Sequence, residues 1–376
     1  MTAACEIARY RPAHKAQVAA LQTLLWSSDP NLNRRYLEWR FEENPYGTEP
    51  VIYLAFQDGE LVGMRGFYHS RWELGSPPEA YSVLVADDAV IVPQHRNRGL
   101  ATMIMRAAFE DLARSGHQYV FNLSGGVVTV VGSLAMGWKS AGAMEPISLE
   151  TGLNPARRAR RWLRRTPFLR RYAASPFLRS ARERAPFSRL DRMSRLRPGG
   201  SILVEREPRL DAMSELVTRL GHDGRMRHVR DREFFAWRFR NPLRDYRFLY
   251  WGNTRLEGYL VLMSQHSTTP NPTRVKIVDL EATSASVRSE LLDAAIDFGR
   301  FPELFAWAAT LPDEARTYLA SRGFKPADLE LRAHGCPCVL VRPVSPKSAA
   351  SPWMLGNCRL TNLADWDMRM LYTMAG

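Results

Sequence analysis

The sequence predicts an α/β (α+β) fold in which two tandem domains each hold a mixed, mostly antiparallel sheet flanked by helices. One observation is the order of patterns over residues 5–150, which runs strand, two helices, three strands, helix, strand and helix. Another is a repeat, because Trp-Arg-Phe-Glu-Glu-Asn-Pro at 39–45 returns as Trp-Arg-Phe-Arg-Asn-Pro at 237–242, followed by a similar order of elements. A chain of 376 residues is also long enough to form two cores.

Each element of the first domain has its own local signal. Apolar runs or alternation predict strands, Asp58-Gly59 marks a hairpin turn, and apolar residues at helical spacing predict helices. The predicted strands cover 6–10, 51–56, 61–72, 81–92 and 119–123, and the predicted helices cover 13–26, 32–41, 103–115 and 127–136. The predicted buried face of the motif helix consists of Leu100, Met103, Ile104, Ala107, Ala108 and Leu112.

The charge divides the chain into three parts. The net charge is +13, and the segment 154–198 accounts for all of it, with 15 arginines against Glu183 and Asp191. Charge concentrated in this way is typical of a connecting segment and is not a property of the folded parts. We therefore predict an N-terminal domain over 1–152, an Arg-rich helical linker over 153–199 and a C-terminal domain over 200–376.

The junction between the strand at 81–92 and the next helix has the features of an anion-binding turn. Pro93 ends the strand, and residues 97–100 bring several free amides together at a helix start. Gly99 has no Cβ, so the backbone can approach a diphosphate closely, while Arg96 and Arg98 add positive charge. The sequence therefore predicts a phosphate-binding cradle here.

The order Val90-Ile91-Val92-Pro93 followed by Arg96-x-x-Gly99-x-Ala101 resembles the acetyl-CoA motif of the GCN5-related N-acetyltransferase (GNAT) superfamily. The whole chain resembles tandem members, and its Trp-Arg-Phe-x-x-Asn-Pro and Gly-Trp-Lys segments are similar to those of bacterial members associated with exopolysaccharide genes. The resemblance implies a GNAT-like fold in each domain and acetyl-CoA as co-substrate. The residues it assigns to the cofactor are Val90, Ile91, Val92, Arg96, Asn97, Arg98, Gly99, Leu100, Ala101, Thr102 and Asn122.

The resemblance also suggests the acid–base groups. Asp88 is the preferred general base and Asp87 the alternative, on a strand that would point the two side chains to opposite faces. Glu73 and His69 on the neighbouring strand are further candidates, and many family members use a chain of water molecules. Ser133 stands where the family often has a tyrosine that protonates the departing thiolate, which leaves the acid open.

The second domain lacks the cofactor signature. It has Glu-Ala-Thr-Ser-Ala-Ser-Val at 281–287, with no glycine or arginine, so we expect no pyrophosphate site there. We expect this domain to cover the first one and to shape the acceptor pocket. Residues 353–372 are expected to add a last strand to either sheet.

The sequence predicts no metal site. The four cysteines are too few and too scattered for a disulfide framework or a four-ligand zinc site, and Cys336 and Cys338 are interpreted as structural residues of a strand. No apolar run is long enough to cross a bilayer and residues 1–30 lack a signal-peptide layout, so we expect a cytoplasmic protein.

The Arg-rich segment contains a short repeat of Pro-Phe-Leu-Arg type that predicts brief helices. A plain linker is the favoured interpretation. Contact of 154–198 with an anionic membrane surface or another polyanion comes next, and it would place the protein at the inner membrane. Nucleic acid is the least favoured partner.

These observations lead to a functional hypothesis. It is a CoA-dependent N-acyltransferase with acetyl-CoA as donor and a small-molecule amine as acceptor, which by family analogy is an amino sugar or another envelope or exopolysaccharide precursor. Two alternatives stay open. A FemABX-like aminoacyl-tRNA-dependent ligase also duplicates this fold but normally lacks the glycine turn, and a non-catalytic acyl-CoA-binding regulatory module would keep cofactor affinity without turnover.

Overall fold

The computed structural model describes most of the chain. The described residues are 5–123, 127–150, 187, 190–192, 195–197, 200–265, 274–299, 301–327, 338–344 and 352–373. Most of the Arg-rich segment and Cys336 lie outside them, so the predicted linker helices and the cysteine pair are not tested. We call residues 5–150 the first half, residues 190–344 the second half and residues 352–373 the tail.

The first half alternates strands and helices in the predicted order. Its strands are β1 (Glu6–Arg9), β2 (Val51–Gln57), β3 (Glu60–Gly75), β4 (Glu79–Ile91), β5 (Tyr119–Asn122), β6 (Lys139–Ala143) and β7 (Pro146–Glu150). Its helices are α1 (Lys15–Leu21), α2 (Pro30–Leu37), α3 (Leu100–Arg114) and α4 (Val127–Ala135), with 3-10 turns at Pro12–His14, Gln22–Leu24 and Pro93–His95 and a π turn at Glu38–Glu42.

The second half and the tail follow. Their strands are β8 (Arg195–Arg197), β9 (Gly200–Glu205), β10 (Gly224–His228), β11 (Arg244–Trp251), β12 (Gly258–Gln265), β13 (Val275–Ala282), β14 (Glu303–Trp307), β15 (Lys325–Pro326), β16 (Cys338–Pro343), β17 (Met354–Leu355) and β18 (Cys358–Arg359). Their helices are α5 (Leu210–Leu220), α6 (Arg232–Arg238), α7 (Ala285–Gly299) and α8 (Asp313–Ser321), with 3-10 turns at Leu190–Arg192, Leu363–Asp365 and Met370–Tyr372.

The two large sheets exchange one strand each. The first sheet has the order β1-β2-β3-β4-β5-β16-β6, with β10 paired to β3, and the second has the order β15-β7-β14-β13-β12-β11-β9-β8. Strand β7 of the first half therefore lies between two strands of the second half, while β16 of the second half lies between β5 and β6. Because each inserted strand is paired on both edges, neither half completes its sheet from its own strands.

The repeated Trp-Arg-Phe motifs face each other across the two halves. The indole Nε1 of Trp39 donates to the carbonyl of Trp237 at 2.7 Å, and Nε1 of Trp237 donates to the carbonyl of Trp39 at 2.8 Å. The two rings stack with their centroids 5.1 Å apart. Such reciprocal contacts are what two copies of one motif make when a local twofold axis relates them. The repeat in the sequence is thus an interface in the fold.

The tail does not extend either large sheet, contrary to the expectation from its sequence. Its strands β17 and β18 pair only with each other, and Trp366 forms an isolated bridge with Met226. The reason is that the apolar side chains of the tail pack inside the molecule. The indole ring of Trp366 is fully buried and contacts the rings of Trp72 and Phe121 of the first sheet edge to face.

The predicted fold class and the predicted order of elements are confirmed. The predicted buried face of α3 is partly wrong. The buried residues of α3 are Leu100, Ile104, Met105, Ala108, Phe109 and Leu112, whereas Met103 is exposed. The helix begins at Leu100, and this phase turns Met105 and Phe109 toward the sheet. The domain boundaries at 152 and 199 stay a prediction. Because of the strand exchange, residues 146–150 belong to the second sheet and residues 338–343 belong to the first.

Candidate active site

The fourth and fifth strands of the first sheet pair only briefly. Strand β4 runs parallel to β5 with Leu84 opposite Val120 and Val85 opposite Phe121. It then continues to Ile91, and among the described residues it has no further ladder partner on that side. Backbone groups beyond the last paired residue of a strand are available to a ligand. The two strands therefore diverge into a cleft, one edge of which is the last part of β4.

A bulge in β4 turns two carboxylates to the same side of the sheet. Asp87 pairs with Gly66 of β3, but Val90 pairs with Met64, so β4 has one extra residue in between. Asp88 has a φ of 43°, and such a bulge interrupts the alternation of side chains. The prediction that Asp87 and Asp88 face opposite sides is therefore wrong. Both side chains are buried and point to the elements around α1 and α2.

Asp88 accepts two hydrogen bonds from the connection between α1 and α2. Gln22 Nε2 donates to its Oδ2 at 2.7 Å, and Trp26 Nε1 donates to its Oδ1 at 2.9 Å. Burial, and next the neighbouring Asp87 carboxylate, raise the pKa of Asp88 from 3.8 to about 7, against the opposing effects of Gln22, Trp26 and the charge of Arg40. A carboxyl group with a pKa near 7 can take up and release a proton at neutral pH.

Asp87 ties the bulge to the Trp-Arg-Phe motif. Its Oδ1 accepts the amide of Asp88 at 2.9 Å, and its Oδ2 lies 3.2 Å from both Nε and Nη2 of Arg40. Gly66, the partner of Asp87 on β3, leaves room for the last residue of this motif, since a Cβ there would lie 2.7 Å from Cζ of Phe41. Asp87 thus acts on the backbone of the bulge and on Arg40, while Asp88 is the carboxyl group that interacts with the α1–α2 connection.

The turn before α3 is open at its centre. Gly99 precedes Leu100 with a φ of 76°, and Asn97 has a φ of 60°, which glycine and asparagine adopt most easily. No side chain caps the first amides of α3, and a Cβ on Gly99 would meet nothing within 4 Å. The predicted cradle is therefore not filled by side chains of the described residues, and its amides point outward at the positive end of the helix.

Arg96 connects this turn to the edge of the cleft. Its Nε donates to the carbonyl of Ile91 at 3.0 Å, while the amide of Val92 donates to the carbonyl of Val62 at 2.9 Å. The chain thus stays attached to β3 up to the turn. Along this stretch Val90 and Leu100 are buried, Ile91 and Val92 are half-buried, and the exposed residues are Arg96, Asn97, Arg98, Gly99, Ala101 and Thr102.

Two further predicted site residues, Asn122 and Ser133, are buried. Asn122 is the last residue of β5, the strand on the other side of the cleft, and its Cα partner on β16 is Leu340. Ser133 lies within α4, where its carbonyl accepts the amides of Met136 and Trp138. The predicted roles of Asn122 in cofactor contact and of Ser133 in proton donation stay predictions.

The two further base candidates make their contacts elsewhere. A ring nitrogen of His69 lies 3.2 Å from the carbonyl of Glu49, and burial lowers the pKa of this histidine. Glu73 accepts a hydrogen bond from Arg227 of β10 at 2.6 Å. The contacts of these two side chains do not include Asp88.

The second sheet opens a similar gap, and the tail fills it. Strand β13 pairs with β14 only at Val275 and Lys276 and has a bulge next to Asp279. Residues 368–370 of the tail lie in the gap against β13 and β14 and leave a cavity of about 40 Å³. Arg369 Nη1 donates to the carbonyl of Leu280 at 2.6 Å. The backbone edge that would face a ligand is therefore occupied by the chain itself.

A buried ion cluster holds the tail in this gap. Arg369 contacts Asp279 at 3.3 Å, Glu281 at 2.9 Å and Asp367 at 2.9 Å, and Arg230 contacts Asp279 and Glu281. Burial raises the pKa of Asp279, whereas for Asp367 the charges of Arg369 and Arg230 outweigh burial and lower the pKa. The residue after Asp279 is Leu280, so this bulge has no counterpart of the second carboxyl group of the first half.

Three side chains at the first site were not predicted from the sequence, namely Gln22, Trp26 and Arg40. Arg40 had a signal, since it is the middle residue of the repeated Trp-Arg-Phe motif. Gln22 and Trp26 had none, because their hydrogen bonds to Asp88 span 66 and 62 residues of sequence.

The described part of the chain contains neither a metal-ligand cluster nor a membrane-spanning helix. No group of three or more His, Cys, Asp or Glu side chains there is placed to hold a metal ion. No helix there is both long and apolar enough to span a membrane.

Comparison with known proteins agrees with this geometry. Residues 18–127, which run from α1 through the open turn and α3 to the start of α4, match the Acetyltransferase (GNAT) family. None of the curated proteins matches the sequence significantly.

Solved structures resemble nearly the whole chain. A GCN5-related N-acetyltransferase from Anabaena variabilis aligns with 91% of this chain and 73% of its own at 11% identity and a TM-score of 0.57. A tandem GNAT protein from the clavulanic acid biosynthesis pathway aligns with 92% of this chain and 100% of its own at 13% identity and a TM-score of 0.54. An Enterococcus faecalis protein described as a probable N-acyltransferase aligns with 91% and 73% at 10% identity and 0.54. The chain as a whole therefore has the fold of a tandem GNAT protein, and the segment that matches the GNAT family lies in its first half.

Proposed function

We propose that this protein is a CoA-dependent N-acyltransferase that uses acetyl-CoA and acts on an amine. The observation that carries the proposal is the continuous path in the first half from the cleft between β4 and β5 to the open turn at Gly99. This path offers backbone groups to an extended chain and helix-start amides to a diphosphate. The second half has no such path, because the tail fills its gap.

The residues of the first half fit acetyl-CoA. The amides at the start of α3 and the guanidinium groups of Arg96 and Arg98 would hold the phosphates, and the space above Gly99 leaves room for them. The last residues of β4, Val90 to Val92, and Asn122 across the cleft would line the pantetheine arm. When bound, acetyl-CoA supplies a thioester, which is an activated acyl group.

The chemistry requires one bond to form and one to break. The amine nitrogen attacks the thioester carbonyl, the new C–N bond forms, the C–S bond breaks, and the proton of the nitrogen goes to Asp88. Asp88 suits this role because it is ionised above a pH of about 7 and its two oxygens are held in place by Gln22 and Trp26. The departing sulfur takes up a proton, for which Ser133 is the proposed donor and water the alternative.

The acceptor and the setting are further parts of the proposal. From the resemblance to bacterial members associated with exopolysaccharide genes, we propose an amino sugar or a related envelope precursor as acceptor, in the cytoplasm. Contact of 154–198 with the inner membrane would show as salt-sensitive binding to anionic vesicles that is lost when a neutral linker replaces the segment.

A pair of matched variants tests the proposal. Gly99→Glu puts a carboxylate in the cradle, and we expect the Kd for acetyl-CoA to rise at least about 100-fold, because like charges that meet in a binding site cost several kcal/mol. Ser284→Glu makes the same change just before α7, the helix in the corresponding place of the second half, and should leave the Kd unchanged. Calorimetry gives the Kd, and near-UV circular dichroism confirms folding.

Release of free thiol from acetyl-CoA is then measured with a panel of amines that includes amino sugars. Turnover of at least one amine that is lost in Gly99→Glu supports the proposal. Acetyl-CoA binding without turnover of any acceptor would favour a regulatory module, and retention of aminoacyl-tRNA without CoA affinity would favour a ligase.

A further inference from the structure

Arg40 is the buried cation beside the two carboxyl groups of the first site. Its side chain is 1% exposed, and its Nε and Nη2 both lie 3.2 Å from Oδ2 of Asp87. Its guanidinium group lies over the ring of Tyr68, 3.5 Å from the centroid. A fully buried guanidinium that stacks on an aromatic ring is held in one orientation, because the ring contacts its flat face while the carboxylate accepts from its N–H edge.

Contacts with the second half fix the backbone next to Arg40. The preceding residue, Trp39, exchanges two hydrogen bonds with Trp237, and the guanidinium of Arg40 also lies 5.7 Å from the ring of Trp237. Removal of the second half would therefore release the hydrogen bonds of Trp39 and, with them, the backbone that carries Arg40. The contact between the halves reaches Asp87, and through Asp87 the amide of Asp88, in two steps.

The matching arginine of the second half binds something else. Arg238 is equally buried and occupies the corresponding position in the second motif, where its guanidinium lies 5.6 Å from the ring of Trp39. It donates to the carbonyls of Leu371 and Thr373 in the tail at 2.6 Å and 2.8 Å. One copy of the motif thus binds a carboxylate of the site, whereas the other holds the tail.

We propose that Arg40 is a positioning residue of the reaction, which the second half presents to Asp87 so that the bulge and its carboxyl pair keep their charge and geometry. The inference rests on the proposed function, in which Asp88 takes the proton of the amine. The second half would then contribute to the reaction in the first half by holding Arg40 in place.

Several groups besides Arg40 face the carboxyl pair, so the effect of Arg40 must be distinguished from theirs. The polar and titratable side chains around Asp87 and Asp88 include Gln22 and Trp26 from the α1–α2 connection, Tyr36 of α2, Arg40, and Arg65 and Tyr68 of β3. The positive charge of Arg40 lowers the pKa of Asp88 against burial and the charge of Asp87. Without Arg40, Asp88 should hold its proton to higher pH.

The test is a carboxyl titration of the protein without acetyl-CoA or acceptor. Protein labelled with ¹³C at the aspartate carboxyl groups is titrated by NMR, and the Asp88 resonance is identified from its absence in Asp88→Asn. In Arg40→Gln we expect the midpoint of Asp88 to rise by up to about one pH unit, since loss of a nearby positive charge favours the protonated acid. Arg40→Lys keeps a charge without the fork and should give a smaller rise.

Arg238→Gln is the matched control, because it removes an equally buried arginine of the same motif, one whose hydrogen bonds to Leu371 and Thr373 hold the tail. We expect it to lower stability and to leave the midpoint of Asp88 unchanged. An unchanged midpoint in folded Arg40→Gln would overturn the proposal. If Arg40→Gln does not fold, Arg40→Lys decides: a raised midpoint supports the proposal, and an unchanged midpoint together with an unchanged pH–rate profile overturns it.

Two outcomes distinguish a failure of the proposed function from a failure of the proposed role of Arg40. A shifted midpoint in a protein that acetylates no amine would end the proposed function and keep the coupling of Arg40 to the carboxyl pair. Acetylation by the wild type with no shift in Arg40→Gln would keep the proposed function and end the coupling.

Discussion

Strand β4 of the first half pairs with β5 at Leu84 and Val85, and strand β13 of the second half pairs with β14 at Val275 and Lys276. Both strands carry a bulge, and in both an aspartate at the bulge accepts the amide of the next residue. Beyond this point the halves differ. The first gap leads to an open glycine turn, whereas the second contains Arg369 of the tail.

The difference shows which features belong to the fold and which to the chemistry. The amide-binding aspartate occurs in both halves, as Asp87 and as Asp279, so it is a structural part of the bulge. The next residue is Asp88 in the first half and Leu280 in the second, and the glycine turn is present only in the first. Asp88 and Gly99 therefore distinguish the open cleft from the filled one.

The largest expected effect concerns the exchanged strands. A fragment of residues 1–152 lacks β16, whose Val339, Leu340 and Val341 are fully buried between β5 and β6. We expect this fragment not to fold, because several fully buried side chains and two ladders are lost at once. Circular dichroism and amide exchange measure this, and co-expression with 200–376 should restore folding. A fragment that folds alone and binds acetyl-CoA would show that the halves are independent.

The next effect separates the two aspartates by rate. Asp88→Asn should reduce acetyl transfer about 100- to 10,000-fold, the usual contribution of a general base, with little change in the Kd for acetyl-CoA. Asp279→Asn should leave the rate per folded molecule unchanged. In the wild type the rate should rise as the pH increases through about 7, the pKa of Asp88. Steady-state kinetics from acid to alkaline pH check all three, and equal rates in both variants would contradict the comparison.

The raised pKa of Asp88 also predicts the pH dependence of stability. Because folding raises this pKa from 3.8 to about 7, the native state binds the proton more tightly than the unfolded state does. The contribution of Asp88 to stability is therefore present below pH 3.8 and declines as the pH rises to about 7. Urea unfolding across this range should show a decline that Asp88→Asn lacks. The same decline in both proteins would assign it to other groups.

A smaller effect is expected from the filled cleft. Arg369→Met removes the ion-pair partner of Asp367 and leaves Asp279 and Glu281 paired with Arg230, and breaking a buried ion cluster of this kind costs about 3–5 kcal/mol. The exposed pair removed by Arg316→Met should cost at most about 1 kcal/mol. Urea unfolding gives both values. The Kd for acetyl-CoA should stay the same, and a second binding site in Arg369→Met would mean that only the tail blocks the second half.

The smallest effect concerns the contact between the motifs. Trp237→Phe removes one of the two indole donors and leaves the carbonyl of Trp39 without its buried partner, which costs about 1–3 kcal/mol. The change in the urea midpoint measures it. No change in stability would mean that the reciprocal bonds contribute little to holding the halves together.

Local patterns account for what could be predicted from the sequence. The glycine turn, the hairpin at Asp58-Gly59 and the order of elements depend on neighbouring residues, and the repeat revealed the tandem fold. The strand exchange could not be read this way, because β7 pairs with a strand more than 150 residues away. The alternation rule failed at Asp87 and Asp88 because of the bulge, and the hydrogen bonds of Gln22 and Trp26 exist only in the folded chain.

The stoichiometry of acetyl-CoA binding tests the central claim most directly. Calorimetric titration of the full chain should give one bound acetyl-CoA per molecule, and Gly99→Glu should abolish that binding while Ser284→Glu retains it. Two bound molecules per chain, or a single one that survives in folded Gly99→Glu, would contradict the assignment of the open cleft between β4 and β5 as the cofactor site.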